Sequence, residues 1–267
     1  MRIARYAVGD QIHYGTVELE ADGGQFPDSV ADLTGDPMVG PVNLTGGRHA
    51  LADVRLLAPV IPRSKVVGLA HNYVAEGPVP ELGPDAHPEV FLKPNTSVIG
   101  PDEPIVVPAL SHDTGLEGEV AVVIARICRH VPLERVPEVI FGYTVANDVT
   151  ARDFIRPGEP WGIAKGFDAF TPLGPWLVTH LSLEEAENLE LTTRLDDEVV
   201  QQGTTKRLRW PIARQIAYLS EVMTLLPGDV VLTGTPAGAC AIAPGQTVTV
   251  EAAEIGTLAN PVVAEAA

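Results

Sequence analysis

The chain is short of cysteine, of positive charge and of long hydrophobic runs. Its two cysteines, Cys128 and Cys240, lie far apart in 267 residues, with no CxxC or Cys/His ligand spacing. No disulfide framework or thiolate metal site is signalled, and two reduced thiols are expected, with a single bridge as the alternative. Against 35 acidic residues there are 18 lysines and arginines, a formal charge of −17. Such a surface repels phosphate backbones, which argues against a nucleic-acid partner. No uninterrupted apolar segment approaches the roughly 18 residues of a spanning helix, and Met1 leads straight into a strand pattern. No membrane partner and a cytoplasmic location are therefore expected. What remains is 45% hydrophobic, with 25 glycines and 24 prolines without period. That composition predicts a soluble globule rich in turns.

Residues 1–60 read as a small β-rich module and 61–267 as the main domain. RIARYAV and IHYGTVELE are strand patterns joined at Gly9–Asp10, with Gly23–Gly24 ending the second. VRLLAPV closes the module. After the short strand VVGLA, residues 71–88 hold four prolines and little periodicity, the signature of a lid or binding loop. PLERVPEVI predicts a short helix with Leu133, Val136 and Ile140 on one face. Ser182 and Glu185 form a capping box. The best helical stripe, Ile212, Ile216, Leu219 and Met223, follows Pro211. One such stripe against about a dozen short strands predicts a mixed α+β, β-dominated fold.

Glu117 and Glu119 sit at i and i+2 in LEGEVAVVI, so on a strand both face one way, and Asp148 ends the apolar run FGYTVAND. Carboxylates are rarely buried unless paired or bound. Three among buried-type strands point to a hard divalent cation with oxygen ligands, Mg²⁺, Mn²⁺ or Ca²⁺. Solvent-facing strand residues, or partners of Arg and Lys, are the competing reading of the spacing.

Several long segments in order, VFLKPNTSVIGPDEPIVVP, LEGEVAVVIAR, FGYTVANDVTARDF, AKGFDAFTPLGPWLVT and IAYLSEVMTLLPGDVVLTGTPAG, resemble the fumarylacetoacetate hydrolase superfamily. The resemblance spans nearly the whole chain. It implies a rolled β-sheet or pseudo-barrel catalytic domain behind a small N-terminal β domain, in a homodimer. It also implies that Glu117, Glu119 and Asp148 hold Mg²⁺, with Mn²⁺ or Ca²⁺ as alternatives. The implied chemistry is chelation of a small carboxylated 2-oxo or 1,3-diketo substrate and stabilisation of its enolate.

By the same resemblance Lys165 in AKGFD stands beside the metal as a catalytic ammonium, and a salt bridge to a ligand carboxylate is its structural alternative. Lys93 in FLKP falls near the active-site floor, as a substrate contact or a structural lysine. Arg152 and Asp153 in TARD are expected behind the ligands, Arg152 holding a carboxylate in place. Gly234 and Thr235 in the TGTP turn, together with Tyr73, are candidate substrate contacts, although a tight turn alone explains Gly234 and Pro236. No lysine follows a glycine-rich run, so this turn is not a phosphate loop.

The chain departs from the family pattern after Asn72–Tyr73. Hydrolases and decarboxylases carry a histidine there, with a glutamate one turn later; here these positions hold Glu76 and Val79, and His71 precedes the pair. In one reading His71 supplies the base with Glu76 or Glu81 orienting it. In another the dyad is absent and the chemistry needs no activated water. In a third His71 is only a loop residue. FIRPGEPW stands where members acting on small oxo acids carry a glutamine, which argues against a substrate as small as oxaloacetate. The leading expectation is C–C hydrolysis of an acylpyruvate-like substrate or isomerisation of a 2-hydroxydienoate. A decarboxylase or oxaloacetate tautomerase is the alternative, and a non-catalytic ligand-binding member is a third.

Overall fold

The computed structural model describes residues 1–23, 27–83 and 85–266. Gly24, half of the turn expected at Gly23–Gly24, and Pro84 in the expected lid lie outside the described residues. Strands dominate, as expected. Arg2–Val8 and Gln11–Glu18 pair in full register, with Val8 opposite Gln11. The two-residue turn between them needs a positive φ at its first position, and Gly9 supplies +57°. Ser29–Leu33 and Leu44–Ala50 extend this antiparallel meander.

The N-terminal strands do not form a sheet of their own. Arg2–Val8 also pairs with Thr171–Val178, through Arg2 opposite Val178 and Ile3 opposite Leu177, and with Arg55–Leu57. The meander thus continues into one twelve-stranded sheet. Beyond the meander it runs Thr171–Val178, Ile140–Asn147, Gly118–Ile124, Val230–Leu232, Val66–Ala70 and, at its far edge, Glu89–Lys93. A second sheet of five strands holds the hairpin Glu190–Leu195 and Glu198–Thr204, then Thr247–Ala252, Gly256–Ala264 and Ile105–Val107.

Gly118–Ile124 is buried along its whole length. Val120, Val122 and Ile124 enter the larger core, while Ala121 and Val123 enter a smaller core on the opposite face. Alternation puts Glu119 on the face of Ala121 and Val123, at the strand end where that core gives out. The helix Ile212–Val222 buries Ile212, Ile216 and Leu219 against the larger core. Met223, expected on the same stripe, is its C-cap in extended backbone.

PLERVPEVI forms the expected short helix but buries a different face. Leu133–Val139 is a 3-10 helix burying Val136 and Val139, with Leu133 exposed. Pro137 lacks the N–H that an α-helix would use, and a three-residue turn stacks i on i+3 instead. The capping box at Ser182 forms, with Glu185 N–H donating to Ser182 Oγ and the Glu185 carboxylate accepting from Ser182 N–H. Cys128 and Cys240 are both free thiols. No helix among the described residues is long and apolar enough to cross a membrane.

Candidate metal centre and active-site cavity

The carboxylates come from the ends of two neighbouring strands. Gly118 lies opposite Asn147 in the antiparallel pair, so Glu117 leads into one strand where Asp148 leaves the other. Asp148 N–H donates to the Glu117 carbonyl at 2.8 Å. Ligand oxygens of Glu117, Glu119 and Asp148 all lie within 4.8 Å of one another. The residue between the glutamates has to be glycine, because a Cβ on Gly118 would stand 2.0 Å from Thr193 Oγ1.

Each carboxylate is braced separately. Gly234 N–H donates to Glu119 at 2.6 Å. Gly234 has φ +104°, and a Cβ there would stand 2.8 Å from Asn72 Cβ, so the TGTP turn needs glycine at this position. Glu117 accepts from Thr150 Oγ1 at 3.0 Å and from Lys165 Nζ at 2.8 Å. Asp148 accepts from Lys165 at 2.5 Å on one oxygen and from Lys93 on the other. Lys93 also donates to the carbonyls of Val149 and Phe170. Its three N–H groups are engaged beneath Asp148, which leaves none for a substrate and makes it a support of the floor.

Two ammoniums face three carboxylates, two of them buried and Glu117 half-buried, so with all three ionised one negative charge would be uncompensated. It falls on Glu119, which has only the one N–H. Burial, then the charges of Asp148 and Glu117, push its carboxyl well above the ordinary range. Burial also raises Glu117, against the pull of Lys165. For Asp148 burial acts upward as well, but Lys165 and Lys93 outweigh it and hold its carboxyl below the usual value. A divalent cation would more than offset this charge, leaving one positive charge to meet an anionic ligand, and three hard oxygens suit Mg²⁺, Mn²⁺ or Ca²⁺. Beside the triad, the Tyr73 hydroxyl is buried with no hydrogen-bond partner among the described residues. Burial and the Glu119 charge hold its phenol proton on. The donor set thus fits a hard metal, and a polar group next to it lacks a partner.

Above the glutamates opens a cavity of about 580 Å³. His71, Tyr73, Trp161, Thr235 and two arginines, Arg152 and Arg209, are among its walls. Lys165 lies under the ring of Phe91, 4.8 Å from its centroid, and 5.8 Å from that of Trp161. A rigid aromatic wall therefore shields its contacts with Glu117 and Asp148.

The profile of the fumarylacetoacetate (FAA) hydrolase C-terminal family matches residues 65–263, and an Rv2993c-like N-terminal profile matches residues 1–59. The chain belongs to the fumarylacetoacetate hydrolase family. It is 43% identical to Protein Rv2993c of Mycobacterium tuberculosis over 98% of both chains. To the human mitochondrial oxaloacetate tautomerase FAHD2A it is 36% identical, over 84% of this chain and 77% of that one. Its fold matches 5-carboxymethyl-2-hydroxymuconate delta-isomerase from Mycobacterium smegmatis with a TM-score of 0.87 and 44% identity, covering 99% of this chain and 100% of that one. It also matches a Sphingobium maleylpyruvate hydrolase in complex with manganese(II) and pyruvate, with a TM-score of 0.81 and 29% identity, over 100% of both chains. The chain is an enzyme of this family, which holds both hydrolases and isomerases.

Against the family pattern, the fold sorts the remaining sequence candidates. His71 reaches the cavity rim at φ +51°, with 73% of its side chain exposed. Its partner is neither Glu76 nor Glu81: Nδ1 lies 2.9 Å from Glu89 Oε2, and the ring meets Trp161 edge-on. Glu76 does not line the cavity, and Glu81 lines a separate one with Arg209 and Arg214. Arg152 donates through Nε to Asp113 at 3.0 Å rather than to the triad. Asp153 accepts from Ser111 Oγ at 2.7 Å and from His112. Thr235 Oγ1 donates to the Gly118 carbonyl at 2.9 Å and accepts from Gln201 at 2.8 Å. Gln201 Oε1 in turn accepts from Gly118 N–H at 2.9 Å. Gln201 thus clamps the strand between the two glutamates to the TGTP turn.

Glu89, Gln201 and Arg209 had no signal in the sequence, since each meets the site across a long stretch of chain. The expected lid is tied at its base. Arg209 N–H donates to the Asn72 carbonyl at 2.6 Å and Trp210 N–H to Asn72 Oδ1 at 2.8 Å. The Arg207 guanidinium holds the carbonyls of Val74 and Gly77.

Proposed function

We propose that this chain is a divalent-metal-dependent isomerase of 2-hydroxydienoates, moving a proton along a conjugated 2-hydroxy or 2-oxo acid. The observation that carries the proposal is the convergence of the three carboxylate oxygens within 4.8 Å beside a cavity rimmed by a histidine–carboxylate pair. Glu117, Glu119 and Asp148 would hold the metal, with Mg²⁺ the physiological ion and Mn²⁺ a substitute. When bound, such a cation supplies Lewis acidity toward two oxygens of the substrate.

The chain's own residues do the rest. Lys165 fixes Glu117 and Asp148 and places a permanent positive charge where oxyanion character develops. The Tyr73 hydroxyl, still protonated and without a partner, is available to donate to a substrate oxygen. His71 takes and returns the proton at the cavity rim, with Glu89 orienting its ring. Glu76 and Val79 at the two lid positions support isomerisation over hydrolysis, because the pair that activates water elsewhere in the family is replaced. The His71–Glu89 contact favours a second reading, hydrolysis of an acylpyruvate with His71 as base to water. A homodimer in the cytoplasm, divided near residue 60 into a small module and a catalytic domain, completes the proposal. The two free thiols and the gap between the family matches, at residues 59 and 65, support it.

The test is turnover of purified protein with Mg²⁺ or Mn²⁺ on a 2-hydroxydienoate, an acylpyruvate and oxaloacetate. Metal-dependent isomerisation of the dienoate is the expected result. Cleavage of the acylpyruvate alone would establish the second reading, and no metal-dependent turnover of any of the three would overturn both.

A further inference from the structure

Where the strand Gly118–Ile124 approaches the triad, it loses its neighbour on one side. Val230–Leu232 pairs with Ala121, Val122 and Val123 but not with the residues before them. Backbone groups buried there need other partners. The Val120 carbonyl accepts from Thr233 N–H and from Thr233 Oγ1, and the Gly118 carbonyl from Thr235 Oγ1. Gly118 N–H donates to Gln201 Oε1 at 2.9 Å. The Gln201 amide is then used in full, because Nε2 donates to Thr235 Oγ1 and to the Pro236 carbonyl, each at 2.8 Å. Gly118 offers an N–H and Pro236 a carbonyl, which leaves the amide one orientation. Gln201 is 1% exposed and does not line the cavity. The packing around it is close. A Cβ on Gly203 would stand 2.7 Å from Pro236 Cβ, and one on Gly238 would stand 2.0 Å from the Val200 carbonyl oxygen. The strand Glu198–Thr204 of the second sheet is therefore seated on the turn whose Gly234 N–H holds Glu119.

We infer that Gln201 is a positioning residue for the metal centre, through which the second sheet sets the affinity and geometry of a site to which it contributes no ligand. This rests on the proposed role of the triad as a metal site. The physical need for such a residue lies in Gly118. Thr193 leaves no room for a side chain there, so the two glutamates are joined by the residue with the freest backbone. Rotation about Gly118 would swing the Glu117 and Glu119 carboxylates apart. Its N–H is held by Gln201, and its carbonyl by Thr235, which Gln201 holds in turn. One buried amide thus removes the freedom that glycine brings, and ties both glutamates to the TGTP turn. Gln201 touches none of the three carboxylates and acts on them only through backbone that it fixes.

The experiment is calorimetric titration of Mn²⁺ into the wild type and three variants, with the electron paramagnetic resonance spectrum of the bound ion recorded for each. Gln201→Met keeps the length of the side chain and removes its three hydrogen bonds. It should weaken Mn²⁺ binding about 10–100-fold and alter the zero-field splitting of the bound ion, which reports ligand geometry. Gln201→Asn keeps the amide but withdraws it by one methylene, and should weaken binding about threefold or more. It carries the test should Gln201→Met not fold. Leu191→Ala removes buried volume from the adjoining strand Glu190–Leu195. It should unfold at lower denaturant, with affinity and spectrum as in the wild type. Gln201 variants within about twofold of the wild type and with its spectrum would overturn the inference. So would an equal loss of affinity in Leu191→Ala, since the effect would then be one of general destabilisation. A wild type that binds no Mn²⁺ would sink the metal reading, and this inference with it, whereas wild-type binding that ignores Gln201 sinks this inference alone.

Discussion

Glu119 and His71 face the same cavity, yet the glutamate is 1% exposed and held by a backbone N–H, while 73% of the histidine side chain is exposed and rests on another side chain. The first belongs to the end of a buried strand; the second sits on a loop in a left-handed conformation. The strand end has no freedom to move away from its partners, and it places three like charges together at a cost that only cations can offset. The loop residue can reorient for little energy. The metal half of the site is thus pre-organised, and the proton-transfer half is positioned by a weak exposed pair. Changes on the buried side should be severe and show in metal binding and stability, whereas changes on the rim should show in turnover alone.

The largest effect is expected at Glu119. Glu119→Gln replaces a carboxylate ligand with a neutral amide and should weaken Mn²⁺ binding more than about 100-fold, with turnover lost in proportion. Titration with Mn²⁺ measures this directly, and unchanged affinity would place the metal elsewhere. Lys165→Met acts on the same half through stability. It leaves Glu117 and Asp148 without their shared buried ammonium and should destabilise the metal-free protein by about 3–5 kcal/mol. Chemical denaturation with and without Mn²⁺ checks it, because the cation should restore part of the loss.

His71→Ala tests the rim. Turnover should fall about 10²–10⁴-fold with Mn²⁺ affinity unchanged, since the ring touches none of the three carboxylates. Full activity in this variant would move the proton transfer to another group and remove the functional side of the contrast. Glu89→Gln should be milder, about two- to fivefold in turnover, because an exposed side-chain contact of this kind contributes only about 0.2–1 kcal/mol. A loss as large as that of His71→Ala would mean that Glu89 itself handles the proton.

The same contrast explains what the sequence revealed. The triad was legible because strand alternation is a local rule, so Glu117 and Glu119 at i and i+2 had to share a face. Asp148 was legible as the end of the apolar run FGYTVAND, and Lys165 came from the ordered motifs of the family. The strand-dominated fold was legible from short apolar runs between turns. The short helix at Leu133–Val139 was legible but its buried face was not, because apolar spacing alone does not separate a period of 3.6 from a period of 3 around Pro137. His71 was singled out, but its partner was sought nearby in the loop at Glu76 or Glu81. Glu89 lies eighteen residues on, and nothing in the chain between them encodes the contact. Gln201 and Arg209 reach the site from the hairpin and the segment after it, more than 80 residues beyond Gly118. Contacts of that range follow from sheet order, which no local pattern carries.

The smallest effect concerns protons on the buried side. With Glu119 held well above the ordinary carboxyl range, the metal-free protein keeps a proton there at pH values where a free carboxylate is ionised. Asp148, held low by two ammoniums, has already lost its own. Metal uptake must therefore expel the Glu119 proton, and affinity should rise with pH, by at most about tenfold per unit, until Glu119 ionises unaided. The sign for folding is opposite. A group whose carboxyl is raised by folding favours the folded state at low pH. That contribution of Glu119 fades as pH climbs from the ordinary carboxyl range through the raised value. Metal-free protein should thus lose stability over the same interval in which it gains affinity for Mn²⁺. Titration calorimetry in two buffers of different ionisation heat counts the expelled protons, and about one is expected. A count of zero would mean that Glu119 is already ionised in the free protein, with Lys165 and the Gly234 N–H compensating it. The buried half would then be closer to electrical balance than its three carboxylates and two ammoniums imply, and its contrast with the rim would rest on burial alone.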